Sequence, residues 1–179
     1  MKNREITIVE YNPSWPIWFA EERERLNAVM VGAFETINHI GSTAVIGMAA
    51  KACVDISMVV NVFEEMEEYQ KKLACLGYKH VNGYHCEKWY LFDKKDEQTQ
   101  YHLHIMPVES LRWREQIVFR IMMQNHLELA ARYEWLKKYY AKNDRQEFYA
   151  MNKKPFVDNV IEDSRVDLND LSWFEKYGK

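Results

Sequence analysis

The run Val54-Asp55-Ile56-Ser57-Met58-Val59-Val60 constrains this chain more than any other stretch. Its β-branched and apolar side chains are those of a buried strand, where they pack well on a pleated surface. An aspartate inside such a run must be explained, because an ionised carboxylate away from water is costly unless it is paired, hydrogen-bonded or bound to metal. The residues before it narrow the choice. Thr36 to Ile40 reads as a short strand, and Gly41-Ser42-Thr43 breaks it where glycine can take backbone angles closed to other residues. A loop of small residues carrying Lys51 then leads into the Asp55 strand.

Around this stretch the chain reads as one α+β domain: a mixed β-sheet with helices packed mainly on one face, followed by a helical C-terminal half. Glu5 to Tyr11 alternates like a first strand, and Asn12-Pro13-Ser14 stops it. Ser14 is an N-cap candidate for a helix to about Val31, with Trp15, Trp18, Phe19, Glu22, Leu26, Val29 and Met30 at helical spacing. Asn61 to Glu64 has the form of a capping box, opening a helix that turns Phe63, Met66, Tyr69, Leu73 and Leu76 inward and ends at Gly77. Lys79 to Val81 and Lys88 to Phe92 read as a hairpin turning at Asn82-Gly83. Tyr101 to Pro107 reads as the last strand. Three helices follow, from Ser110 to about Gln124, from Asn125 to about Lys142, and from Asp144 with Glu147 toward Asp163. The expected domain is 1–165, and the tail 166–179, with Leu168, Leu171, Trp173 and Phe174, is expected to dock on it.

Charge and composition exclude whole classes of partner. Hydrophobic residues make up 47% of the 179, enough for a sizeable core. A net charge of −3 and a pI near 6.1 give no basic surface for nucleic acid, so no nucleic-acid partner is expected. No apolar run approaches the roughly 20 residues that span a bilayer, and the N-terminus lacks the apolar core of a signal peptide. No membrane partner is expected, and the expected compartment is the cytoplasm. Cys53, Cys75 and Cys86 share no metal-ligand spacing and read as reduced, mostly buried thiols.

Alternation decides whether a site can form. Residues two apart in a strand share a face, so Asp55 and Ser57 point one way while Val54, Ile56 and Met58 point the other. The same parity puts His102 and His104 on one face and Tyr101, Leu103 and Ile105 on the opposite one. If the apolar faces meet the helices, Asp55, Ser57, His102 and His104 converge on the other side of the sheet. Gly41 and Ser42 then enter the same space from the end of the preceding strand.

These residues carry a family resemblance. His39-Ile-Gly-Ser-Thr-Ala-Val-x-Gly-x-Ala-Ala-Lys51 followed by Val54-Asp55-Ile56 resembles the signature of the GrpB family. The likeness continues through Trp15-Pro16, Leu76-Gly77-Tyr78, His102-Leu-His104, Phe119-Arg120, Glu128 to Tyr133 and Lys153 to Val157, over roughly residues 6 to 162. It implies the polymerase-β-like nucleotidyltransferase fold, in which a Gly-Ser turn holds nucleotide phosphates and strand carboxylates bind divalent metal for phosphoryl or nucleotidyl transfer. Carried onto this chain, it implies Gly41, Ser42, Thr43, Lys51 and Arg120 as phosphate-binding residues. Asp55 and His104 become the catalytic candidates, and Asp55, His102 and His104 the metal candidates, for Mg, Mn or Zn. Arg114 is a second candidate phosphate clamp, since a guanidinium matches phosphate oxygens in bidentate fashion.

The chain departs from both patterns. Where the superfamily has a pair of acids two apart, only Asp55 stands, with Cys53 before it and Ser57 after it. His102 and His104 occupy the place of a third acid, and a histidine-aspartate set suits zinc or manganese better than two magnesium ions. Ile46 and Ala52 replace two loop prolines common in the family, and Ile121 replaces the acid that usually follows Phe-Arg. The function expected is therefore a nucleotidyltransferase-like protein binding a nucleotide or other phosphate-bearing small molecule with a divalent metal. A His/Asp metal-dependent hydrolase or metal-binding protein, and a non-catalytic binding module with a degenerate site, stay open beside it.

Overall fold

The computed structural model describes residues 6–86, 89–143 and 146–177. The element starts expected at Glu5, Lys88 and Asp144 lie outside them. In chain order the elements are α1 (Trp15–Val29), β1 (Phe34–Ile40), β2 (Cys53–Val60), α2 (Met66–Leu73), β3 (Lys79–Cys86), β4 (Trp89–Lys95), β5 (Gln100–Pro107), α3 (Leu111–Asn125), α4 (Leu127–Asn143), α5 (Gln146–Ser164) and α6 (Leu171–Tyr177). The strands form one mixed sheet in the order β1-β2-β5-β4-β3. The central pair, β2 and β5, runs parallel, and the pairs outside it run antiparallel. A parallel pair needs a long crossover, here supplied by α2 and the β3–β4 hairpin.

Strand alternation holds as expected. Val54, Ile56, Met58, Leu103 and Ile105 are fully buried on one face, beneath Trp15, Leu26 and Met30 from the α1 region and Tyr69 and Leu73 of α2. Each such aliphatic side chain contributes about 1.5–3 kcal/mol by leaving water. A buried ion pair crosses this face, Glu22 meeting Lys94 at 2.7 Å, with Arg25 at 2.9 Å from the same carboxylate. The helical C-terminal half meets the opposite face. There Val59 and Met106, at the ends of β2 and β5, pack with Trp113, Ile117 and the tail residue Phe174. Arg114 donates to the carbonyl oxygens of Leu168 and Val108, which ties the tail to α3 and engages that guanidinium in structure. The beginnings of β2 and β5 lie outside this second apolar cluster.

Four local expectations are corrected. In place of a first strand, the described residues before α1 make a single bridge, Val9 to Ala50, in which the two residues exchange both backbone hydrogen bonds. Ser14 caps no amide with its side chain; Asn12 Oδ1 accepts the Ser14 N–H instead. The capping box does not form: α2 starts at Met66, and Tyr69 Oη accepts Glu64 N–H and donates to Val62 O, doing the work expected of Asn61. Asn82-Gly83 lies inside β3, where the pairing with β4 is irregular between His80 and His85, so it marks a break in register and not the turn. Ser110, by contrast, caps α3 as expected, its Oγ accepting Arg112 N–H.

Candidate functional site

Register brings the polar residues together. Across the sheet Ile40 pairs with Asp55 and Asp55 with His102, while Ser57 pairs with His104. Asp55 Oδ1 lies 3.2 Å from His102 Nδ1 and 3.8 Å from His104 Nε2. Trp89 fixes the state of His104. Indole N–H can only donate, and it donates to His104 Nδ1 at 3.2 Å, so the proton of a neutral ring sits on Nε2 and faces Asp55. His104 thereby has no free lone pair for a metal or a substrate proton, and its place is to orient Asp55. On the other side, Gln100 Nε2 bridges His102 Nε2 at 3.3 Å and Asp93 Oδ2 at 2.9 Å.

These partners answer the question posed by the aspartate in an apolar strand. Burial pushes the Asp55 carboxyl upward, but hydrogen bonds from His102 and His104 outweigh it and hold the group well below the usual carboxylate range. Burial also lowers His104, against the pull of Asp55, which favours the neutral ring. Asp55 stays ionised at neutral pH with 30% of its side chain open to solvent.

The Gly41 turn sits directly against it. Gly41 has φ 70°, and a Cβ built there would stand 2.5 Å from Asp55 Oδ2, so only glycine fits both the backbone and the neighbour. Ser42 to Ala44 form a short 3₁₀ turn. Thr43 is buried. Its hydroxyl donates to Cys53 O at 3.3 Å and accepts from His39 Nε2 at 3.0 Å, which stitches β1 to β2. Burial holds His39 down to about 4, so that ring is neutral. Arg120 is buried beneath the turn and donates to His39 O at 2.9 Å, and Gln124 donates to Ala44 O from the next turn of α3. Thr43 and Arg120 thus support the turn from inside.

Two lysines bear electrostatically on this site: the charge of Lys51, in the loop before β2, is felt at Cys53 and at Lys153 of α5, and the charge of Asp55 is felt at Lys153. Lys153 is lowered to about 8 by burial, which the Asp55 charge opposes and the Lys51 charge reinforces. Its Nζ lies 4.0 Å from the centroid of the Tyr149 ring. Deeper, α4 grips the loop by both backbone groups of Ala49: Glu134 accepts its N–H at 2.8 Å and Lys137 donates to its carbonyl. Lys137 is lowered to about 7 by burial first and by neighbouring lysines second. Val45 and Met48 pack on Phe119, Met123 and Tyr133, so the loop is clamped although Ile46 and Ala52 stand where the resemblance has prolines.

Asp55, Ser57, His102 and His104 therefore share one side of the sheet as alternation foretold, with the Gly41 turn against Asp55. Sequence reasoning missed Trp89, Gln100, Tyr133, Tyr149 and Lys153. The signal for Tyr149 and Lys153 was their spacing of four on one helix, which gives no distance to a sheet seen only as sequence. Cys53 was read as a plain thiol, yet among the described residues Cys53, Asp55 and His102 have donor atoms all within 4.8 Å of one another. Cys53 and Cys75 are both free thiols, the first buried and the second exposed.

Comparison with known proteins shows what the chain as a whole resembles. The family described as GrpB protein matches residues 5–163. The glutamate-rich protein GrpB of Alkalihalophilus pseudofirmus is 28% identical over 88% of this chain and 94% of its own length. YqkA of Bacillus subtilis is 28% identical over 90% of this chain, which spans only 48% of that relative. The crystal structure of the conserved protein GrpB from Enterococcus faecalis superposes with a TM-score of 0.79, covering 97% of this chain and 100% of that one at 24% identity. Among the described residues, no helix is long and apolar enough to cross a membrane.

Proposed function

This chain belongs to the GrpB family, and on that premise we propose that its cleft binds a phosphate-bearing small molecule, in the form of a nucleotide, between the Gly41 turn and the α5 lysine. The observation that carries the reading is the Gly41 turn lying directly against the ionised Asp55, with the charges of both Asp55 and Lys51 acting on the Lys153 amine of α5. Lys153 is held down to about 8 by burial, which the Asp55 charge opposes, while the Lys51 charge repels its charged form. An anion entering there relieves that repulsion. Gly41 lets the backbone approach a phosphate closely, and Ser42 offers a hydroxyl at the mouth. The positive charges of Lys51 and Lys153 offset the repulsion between a bound phosphate and the ionised Asp55.

Phosphoryl or nucleotidyl transfer is the reaction class attached to this cleft by the nucleotidyltransferase resemblance. A pair of magnesium ions does not fit the residues present: magnesium takes oxygen ligands in near-octahedral geometry, and around Asp55 stand a thiol and two imidazoles. No step is routed through magnesium here. The chain's own contribution is to hold the phosphate with Lys51, Lys153 and Ser42, and to fix Asp55 through His104 and Trp89.

A thermal-shift panel tests the reading. Phosphate, pyrophosphate and nucleoside mono-, di- and triphosphates are compared with chloride and sulfate, since a ligand that binds the native state alone raises the melting temperature. The expected result is an upward shift that grows with phosphate number and disappears in Lys153→Met. No shift with any phosphate compound, or an equal shift in the variant, overturns it.

A further inference from the structure

The structure assigns Cys53, Asp55 and His102 to a site for one thiophilic divalent metal of the zinc kind, with a fourth position open to water or to a phosphate oxygen. Cys53 and Asp55 are two apart on β2 and share a face, and His102 is the register partner of Asp55 on β5. The three donor atoms lie within 4.8 Å of one another. Bonds of about 2.0–2.3 Å at tetrahedral angles put ligand atoms about 3.4–3.6 Å apart, close to the 3.2 Å that already separates His102 Nδ1 from Asp55 Oδ1. The remaining closure falls to Cys53, whose Sγ lies within the same 4.8 Å group.

Chemistry selects the set. Thiolate and imidazole together favour zinc over magnesium or calcium, and three protein ligands with one open position are the pattern of a catalytic rather than a structural zinc site. His102 fits better than His104 for a reason of hydrogen bonding. A ligating imidazole donates its other N–H outward. Gln100, beside His102 Nε2, can turn its amide and present a carbonyl oxygen, while half-exposed Asp93 turns to water. Trp89, beside His104 Nδ1, can never accept. Cys53 therefore replaces His104 in the ligand set named from sequence, and His104 becomes a positioning residue for Asp55. The inference needs no phosphate and stands or falls apart from the reading above.

Cobalt(II) is the probe, titrated into chelator-treated full chain in phosphate-free buffer and followed by absorption. The expected result is one equivalent bound, with the intense visible bands of four-coordinate cobalt and a thiolate-to-cobalt charge-transfer band in the near ultraviolet, both removed by added zinc. Cys53→Ser should abolish the charge-transfer band and weaken binding by about a hundredfold, and His102→Ala should weaken it similarly. Cys75→Ser, Cys86→Ser and His104→Ala should keep the band. Saturation of the wild type without a thiolate band, persistence of the band in Cys53→Ser, or no cobalt binding at all overturns the assignment, and the wild-type spectrum decides it even if a variant fails to fold.

Discussion

The two faces of β2 are built from alternate residues of one strand and do opposite work. Val54, Ile56 and Met58 are wholly buried among other apolar side chains. Cys53, Asp55 and Ser57, one residue out of step, face a cleft where Asp55 keeps 30% of its surface open and the buried Ser57 hydroxyl has no partner. The first face is where folding free energy is gained. The second keeps polar groups whose strongest partners are each other, and lysines whose burial opposes folding. Stability and ligand binding are therefore separable by face, and substitutions can break or sharpen that separation.

The largest effect belongs to the apolar face. Leu103→Ala should cost about 2–5 kcal/mol in denaturant unfolding, with phosphate affinity unchanged in the fraction that stays folded. A loss of affinity there would break the separation. Gly41→Ala comes next, because the added Cβ meets Asp55 Oδ2 at 2.5 Å and the backbone is held at φ 70°. It should cost about 1–3 kcal/mol and also weaken the anion, joining both effects at the one place where turn and carboxylate touch.

Lys137 sharpens the comparison with a change of sign. Its pKa falls from 10.5 unfolded to about 7 folded, so the unfolded chain holds the proton more tightly. The penalty is fully present below pH 7, shrinks as pH rises from 7 to 10.5, and vanishes above that range. Lys137→Met should therefore raise stability by about 1–3 kcal/mol at pH 6, after loss of the bond to Ala49 O. Melting curves from pH 6 to 10 should show the gap closing. The smallest effect is Ser42→Ala, expected to change stability by less than about 1 kcal/mol while reducing pyrophosphate affinity in calorimetry.

Much of this was legible before any coordinates. Period-two alternation in Val54 to Val60 and Tyr101 to Pro107 assigned the faces, since a pleated strand leaves a side chain no third direction. Gly41 announced the turn, and the lone acid announced that it had partners. What stayed hidden depends on distance between elements. Nothing in the sequence says that Trp89 reaches His104 and fixes its proton, that the charge of Asp55 is felt at Lys153 of α5, or that Cys53, Asp55 and His102 bring their donor atoms within 4.8 Å of one another. Tyr69 displaced an apparent capping box in the same way, by an aromatic hydroxyl arriving from the following turn.

The central claim is that Lys51 and Lys153 share one phosphate-bearing ligand at a cleft kept apart from the folding core. Calorimetric titration of pyrophosphate into wild type, Lys51→Met and Lys153→Met, each also melted without ligand, tests it directly. The account predicts that each substitution weakens binding by about tenfold or more, while ligand-free Lys153→Met melts at or above the wild type because a buried charge has been removed. Wild-type affinity in both variants, or a ligand-free Lys153→Met that melts well below the wild type, would contradict it.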